Sequence, residues 1–232
     1  QSTRHYQNSP TFFQKAPQSQ GVSFSVEKKY LQKVYSTLCV ALITAAVGSY
    51  LDIAYHVHGI MTTIGAFLGI ILIAVTPQQK TKMLWLVFTA FCMGSNLGPL
   101  ISLSMANSSS LVFTALACTS VLFACLSGAA IVAPSKQYLF LGGILSSAIS
   151  MLALVGLMNL FFHNQAIHSA SLYLGLLIYA GYVLYDTQVI LNKAKQGYDN
   201  AVGDALHLFL DFLGLFIRIL IILNNNNNKK KR

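Results

Sequence analysis

Long apolar runs separated by short polar breaks dominate the chain. They fall at about 30–51, 58–76, 83–106, 111–133, 138–162, 169–191 and 204–223. Each is close to the roughly 20 residues that a membrane-spanning helix requires. Spanning strands would alternate apolar and polar positions over about 10 residues, and these runs do not. The breaks carry turn formers such as Thr76-Pro77, Asn107-Ser108 and Pro134-Ser135. The pattern predicts an all-α integral membrane protein: a bundle of seven hydrophobic helices, six spanning and the seventh spanning or re-entrant. Residues 1–29 read as a polar, disordered tail, 30–223 as the transmembrane domain and 224–232 as an Asn-rich basic tail. Gln1–Gly21 contains no apolar core of a signal peptide.

Composition agrees with lipid as the solvent. Of 232 residues 55% are hydrophobic and 9% charged, against roughly 25% charged in a soluble domain. No Asp, Glu, Lys or Arg lies between Lys82 and Lys136, or between Lys136 and Asp186. The net charge of +9 comes from short clusters between apolar runs, which excludes a nucleic-acid face and fits topology signals. Arg4, Lys15, Lys28, Lys29 and Lys33 precede the first run; Lys80 and Lys82, Lys136, and Lys193 and Lys195 mark every second loop. The alternate loops carry Asp52, His56 and His58, then Asn107, then His163 and His168, with no Lys or Arg. The expectation is a cytosolic N-terminus. A seventh segment that spans fully would place Lys229, Lys230, Lys231 and Arg232 on the side that the other basic residues avoid. Lys229 and Lys230 also match the dilysine retrieval pattern of endoplasmic reticulum membrane proteins, read only from the cytosol. The other reading is a basic tail drawn to anionic lipid, at about 1 kcal/mol per charge.

The candidate chemistry is carboxylate. Three of the six acidic residues are Asp186, Asp204 and Asp211, and an Asp at mid-helix costs about 2.5–3.5 kcal/mol on insertion scales. Asp186 lies seven residues before Lys193, and Asp211 seven after Asp204. Both therefore sit roughly 10 Å inside the same boundary, on segments that a short loop makes antiparallel neighbours. Facing carboxyls in a dry site cannot both ionise cheaply, so the pair shares a proton and titrates as a unit. Such a pair is a pH-sensitive latch and a weak cation site on an ion pathway, too poor in oxygens for tight calcium. The bland reading is ordinary hydrogen bonding, with Tyr182 one turn from Asp186 and His207 one turn from Asp211 as donors. Asp204 follows Gly203 and reads as the N-cap of the last segment. His207, Asp211, Gly214 and Arg218 form one polar stripe at spacings of four, three and four. Arg218 is a counter-charge for Asp211 or snorkels toward a headgroup.

Other features carry less. Cys39, Cys92, Cys118 and Cys125 lie in apolar runs without metal spacing. The loop histidines read as solvated, the Asn107-Ser108-Ser109 sequon as unused, and no cofactor is expected. Gly142-Gly143 with Ser146, Ser147 and Ser150 predicts a close-packing face on the fifth span.

The chain resembles the Bax inhibitor-1, or transmembrane Bax inhibitor motif, family in its eukaryotic endoplasmic reticulum type. The resemblance covers about residues 30–223. It rests on YLQKVYSTL at 30–38, LGP at 97–99, YLFLGGILSSAIS at 138–150, YVLYDTQVI at 182–190 and LFLDFLGLFIRIL at 208–220. It implies a suppressor of cell death in the endoplasmic reticulum membrane that lowers luminal calcium through a pH-sensitive leak. It also implies association with anti-apoptotic Bcl-type proteins. The family's di-aspartyl pH sensor maps onto Asp186 and Asp211. Bacterial members add an Arg on the second helix; segment 58–76 has none, so a gate built on that latch would need Arg218 to substitute. The lysine-rich tail of eukaryotic members is reduced here to KKKR.

Two other classes compete with the leak. One is an interaction protein whose protection depends on partner binding. The other is an intramembrane aspartyl protease, since Tyr185-Asp186 and Gly203-Asp204 resemble its YD and GxGD motifs. Ala201 stands at the first Gly position of the second motif, and no Pro-Ala-Leu segment is present.

Overall fold

The computed structural model describes residues 18–134, 137–162 and 164–230. Arg4, Lys15, Lys136, His163, Lys231 and Arg232 lie outside these residues, as does the tail from 1 to 17. Seven helices follow one another: α1 (Gln18–Tyr55), α2 (Ile60–Val75), α3 (Gln79–Asn107), α4 (Ser110–Val132), α5 (Leu141–Phe162), α6 (Gln165–Lys195) and α7 (Ala201–Lys230). Six are long and apolar enough to cross a bilayer, and the shorter one is α2. Its 16 residues span about 24 Å, less than a hydrocarbon core of about 30 Å.

No re-entrant break occurs in the seventh segment. α7 is continuous over 30 residues, about 45 Å, and runs through the Asn run that composition marks as disordered. Asn224 explains part of this: it is buried and its Oδ1 accepts from Asn107 Nδ2 at 2.7 Å, joining the ends of α3 and α7. α1 likewise begins at Gln18, before the apolar run.

α7 is the centre of the bundle and packs on α1, α2, α3, α4 and α6. Over half of its span is buried, 56%, against 6% for α5, which packs on α6 alone among the described residues. Phe209, Leu208 and Leu215 of α7 are fully buried against Val34 of α1, Leu86 of α3 and Val183 of α6. Phe123 of α4 meets Phe212 edge-on at 5.5 Å. Outward positions such as Ile43, Phe67, Phe113, Leu154 and Leu177 are apolar and exposed, as a lipid-facing surface requires.

The closest helix contact joins α1 and α3. A Cβ on Gly94 would meet the Ala45 Cα at 2.6 Å, and one on Gly48 would meet the Phe91 carbonyl carbon at 3.2 Å. Gly94 and Gly98 are a small-xxx-small pair. The Ser49 hydroxyl donates to the Gly94 carbonyl at 2.8 Å, and Ser95 donates back to Gly48 at 3.3 Å. The predicted face on α5 is looser than expected. Gly142 is filled by the Tyr185 ring, but Gly143 meets open space and Ser146, Ser147 and Ser150 are exposed. Their hydroxyls bond to carbonyls of their own helix. One neighbouring helix cannot cover a whole small-residue face.

Candidate functional site

Asp186 and Asp211 meet. α6 and α7 are antiparallel, and the short turn between them sets both residues at similar depth, as their spacing from Lys193 and Asp204 predicts. The two carboxyls are electrostatic neighbours across the α6–α7 contact. Asp211 is 5% exposed and its Oδ2 is buried without a hydrogen-bond partner. The Asp186 side chain is 14% exposed.

The neighbours differ in part from expectation. His207 bends across to α6, with Nδ1 4.0 Å from Asp186 Oδ2, and its side chain is 64% exposed. That is an electrostatic contact rather than a hydrogen bond. Tyr182 sits between Tyr179, tilted to it at 6.4 Å, and Tyr185, edge-on at 6.5 Å, in a row of rings along α6. The polar stripe of α7 does turn toward α6: Asp211 meets Asp186, Gly214 lies against the Tyr179 ring, and Arg218 covers that ring at 4.5 Å. Arg218 is therefore on Tyr179 and not on a carboxylate. The seven-residue offset from Asp211, about 10 Å along the axis, keeps it away from the pair.

The YDTQ segment ties this site to the rest of the bundle. Tyr185 packs on Gly142 of α5, and Thr187 Oγ1 lies 3.5 Å from Ser127 Oγ of α4. Gln188 donates to the carbonyls of Ala130 and Pro134 at 3.4 and 3.1 Å and accepts from the Tyr138 backbone at 2.8 Å. It satisfies the end of α4, which otherwise leaves orphan carbonyls.

Asp204 is not an N-cap. α7 begins at Ala201, so Asp204 falls inside the first turn, and its own N–H donates to the Asn200 carbonyl at 3.1 Å. Its buried carboxylate accepts from Lys193 Nζ at 2.6 Å and from the Tyr30 hydroxyl at 2.7 Å. Around it the α6–α7 turn is clamped. Lys33 pairs with Asp199 at 2.8 Å, Lys82 Nζ donates to Asn200 Oδ1 at 2.8 Å, and Gln79 Nε2 donates to the Asp199 carbonyl at 2.6 Å. Sequence reasoning missed Tyr30 and Lys82, since nothing in their local pattern announces a partner on a distant segment.

At the opposite end, Asp52 is not in a loop. α1 continues to Tyr55, and Asp52 is 1% exposed. It accepts from the His58 backbone N–H, and His58 Nδ1 lies 2.9 Å from its Oδ1. His58 is thus engaged rather than freely solvated, while His168 lies in the first turn of α6. Gly98 of the LGP segment makes the room, because a Cβ there would meet Asp52 Cγ at 2.6 Å. Among the described residues, no three His, Cys, Asp or Glu side chains are placed to hold a metal. All four cysteines are free.

Lys229 shares a cavity wall with Gln165 and Ser169, at the start of α6. It therefore stands at the opposite end of the bundle from Lys193. If α7, long and apolar enough to cross a bilayer, spans it fully, the retrieval reading of Lys229 and Lys230 conflicts with the orientation that the loop lysines predict.

Comparison with known proteins places this architecture. A family model described as "Inhibitor of apoptosis-promoting Bax1" matches residues 27–228. Bax inhibitor 1 of Arabidopsis thaliana is 39% identical over 225 residues, covering 91% of each chain. Bax inhibitor 1 of Mus musculus is 37% identical and that of Homo sapiens 35%, each over 201 residues, covering 84% of this chain and 85% of the relative. The match takes in all seven helices, both aspartates of the α6–α7 pair and the clamp at the turn; the chain belongs to the Bax inhibitor 1 family.

Proposed function

We propose that this chain is a cell-death suppressor of the endoplasmic reticulum membrane that acts as a pH-sensitive calcium leak, with Asp186 and Asp211 as its proton sensor. One observation carries the reading: two carboxyls from adjacent helices are electrostatic neighbours inside the bundle. Among the described residues no salt bridge joins either carboxyl to a Lys or Arg: Lys193 pairs with Asp204, and Arg218 lies over Tyr179. When they share a proton, the hydrogen bond holds α6 to α7. When both ionise, they repel, the helices part and the site attracts cations. Two carboxylates bind calcium weakly, which suits an ion that must also leave.

The side of the membrane and the compartment rest on the loop lysines and the family resemblance, not on Lys229 and Lys230. The family resemblance also implies a second reading, in which protection comes from binding anti-apoptotic Bcl-type proteins and conduction is incidental. Purified protein in calcium-loaded liposomes separates the two. The leak reading expects efflux above that of empty liposomes, rising with pH between about 5 and 8 as the pair ionises. Efflux equal to that of empty liposomes at every pH would end the leak reading and leave partner binding.

A further inference from the structure

The interior of the α7 span holds one cation, Arg218. It lies 14 residues beyond Asp204, about 21 Å along the axis from the lysine-bearing end. A charge at that depth ordinarily has a partner. None of the ion pairs among the described residues includes it. Its Nη1 donates to the Gly214 carbonyl at a long 3.4 Å, and its Nε is buried with no acceptor. A guanidinium has five N–H donors; the Gly214 carbonyl and the Tyr179 side chain engage some of them, and no carboxylate pairs with it among the described residues.

Arg218 lines a cavity of about 380 Å³, at the small end of the range for small-molecule pockets. Tyr179 and Gly214 form its floor, Thr63 and Asn96 add polar atoms, and Phe67 and Leu213 give apolar walls. Glycines keep it in shape. A Cβ on Gly175 would meet the Arg218 Cζ at 2.7 Å, and one on Gly214 would meet the Tyr179 ring at 2.6 Å. α2 packs on α3 and α7 but makes no contact with α6. The cavity therefore opens sideways between α2 and α6, where the outer surface is apolar and Phe67 is 66% exposed.

We propose that this pocket binds a long-chain carboxylate that enters from the bilayer. The carboxylate supplies the missing counter-charge in the paired geometry that guanidinium favours. Its chain leaves through the gap beside Phe67. The cavity is too small for a two-chain lipid, and Arg218 lies six residues, about 9 Å, inside Asn224 at the end of the bundle. A bilayer phosphate held at the interface does not reach it.

The full chain in nanodiscs of phosphatidylcholine is labelled with a photoreactive diazirine palmitate, and the adducts are mapped by peptide mass spectrometry. Adducts are expected on the α2 and α7 segments that line the cavity, competed by palmitate and not by palmityl alcohol. Arg218→Gln weakens labelling at least about tenfold, with Arg218→Lys in between. Leu213→Trp, which fills the cavity and leaves Arg218 intact, abolishes it. Equal competition by the alcohol would overturn the proposal. So would equal competition by acetate, which makes the ligand a small free anion, or by phosphatidate, which makes it a bilayer headgroup.

Discussion

Replacing Lys193 by alanine is expected to destabilise the folded protein by about 3 kcal/mol, the low end for stranding one member of a buried ion pair. Asp204 is 1% exposed and holds only two donors, Lys193 and Tyr30. Without the ammonium its charge stays inside the bundle with one hydroxyl for company. The low end applies because the Lys193 side chain is 33% exposed, so water reaches the site from that side. Asp204→Ala is milder, about 1–3 kcal/mol, since the lysine turns to solvent and only the Tyr30 O–H loses its acceptor, its oxygen still accepting from the Asn200 N–H. The double variant Lys193→Ala/Asp204→Asn should recover most of the loss by removing the stranded charge. Denaturant unfolding in mixed micelles reads these differences. A loss below about 1 kcal/mol for Lys193→Ala is the value of an exposed pair and would contradict the clamp.

Gly94→Ala should cost about 3 kcal/mol, the upper end for overpacking. The added carbon meets the Ala45 Cα and carbonyl carbon at 2.6 and 2.7 Å. These are backbone atoms of α1, so no rotamer relieves the clash and the two helices must separate. That separation breaks the Ser49 and Ser95 hydrogen bonds that cross the same contact. Gly143→Ala provides the opposite sign. Nothing lies within 4 Å of its new carbon, and alanine in a helix interior gains up to about 1 kcal/mol over glycine. Thermal unfolding of the two variants in one detergent should move the midpoint in opposite directions. A neutral Gly94→Ala would mean that α1 and α3 are not held by close backbone contact.

These two contacts also mark where sequence reading stops. The seven helices were legible because lipid demands about 20 apolar residues per span, and seven long apolar runs lie between Tyr30 and Leu223. The placement of Asp186 and Asp211 on neighbouring antiparallel helices was legible because both depth and pairing follow from chain distance alone. Helix ends were not. The apolar pattern stops at Leu223, but Asn224 is held by Asn107, 117 positions away in the chain. Asp204 resembles a cap because Gly203 precedes it, and only the fold brings Tyr30 and Lys193 to its carboxylate. Asp52 reads as a loop residue until Gly98 of another helix makes room for it. The small residues of α5 are more conspicuous than Gly48, Gly94 and Gly98, but close packing needs a second helix in register, which one helix's sequence does not display.

The central claim concerns what the α6–α7 carboxyl pair does to conduction. The direct measurement is calcium efflux from proteoliposomes at several values between about pH 5 and 8, for wild type, Asp186→Asn and Asp211→Asn. Asparagine keeps the shape and the hydrogen bond but cannot ionise. The wild-type leak should rise with pH, by up to about tenfold per unit where the pair titrates, and each variant should stay low and flat to within about twofold. Wild-type and variant profiles that rise together would contradict the account and return the two aspartates to the role of packing hydrogen bonds.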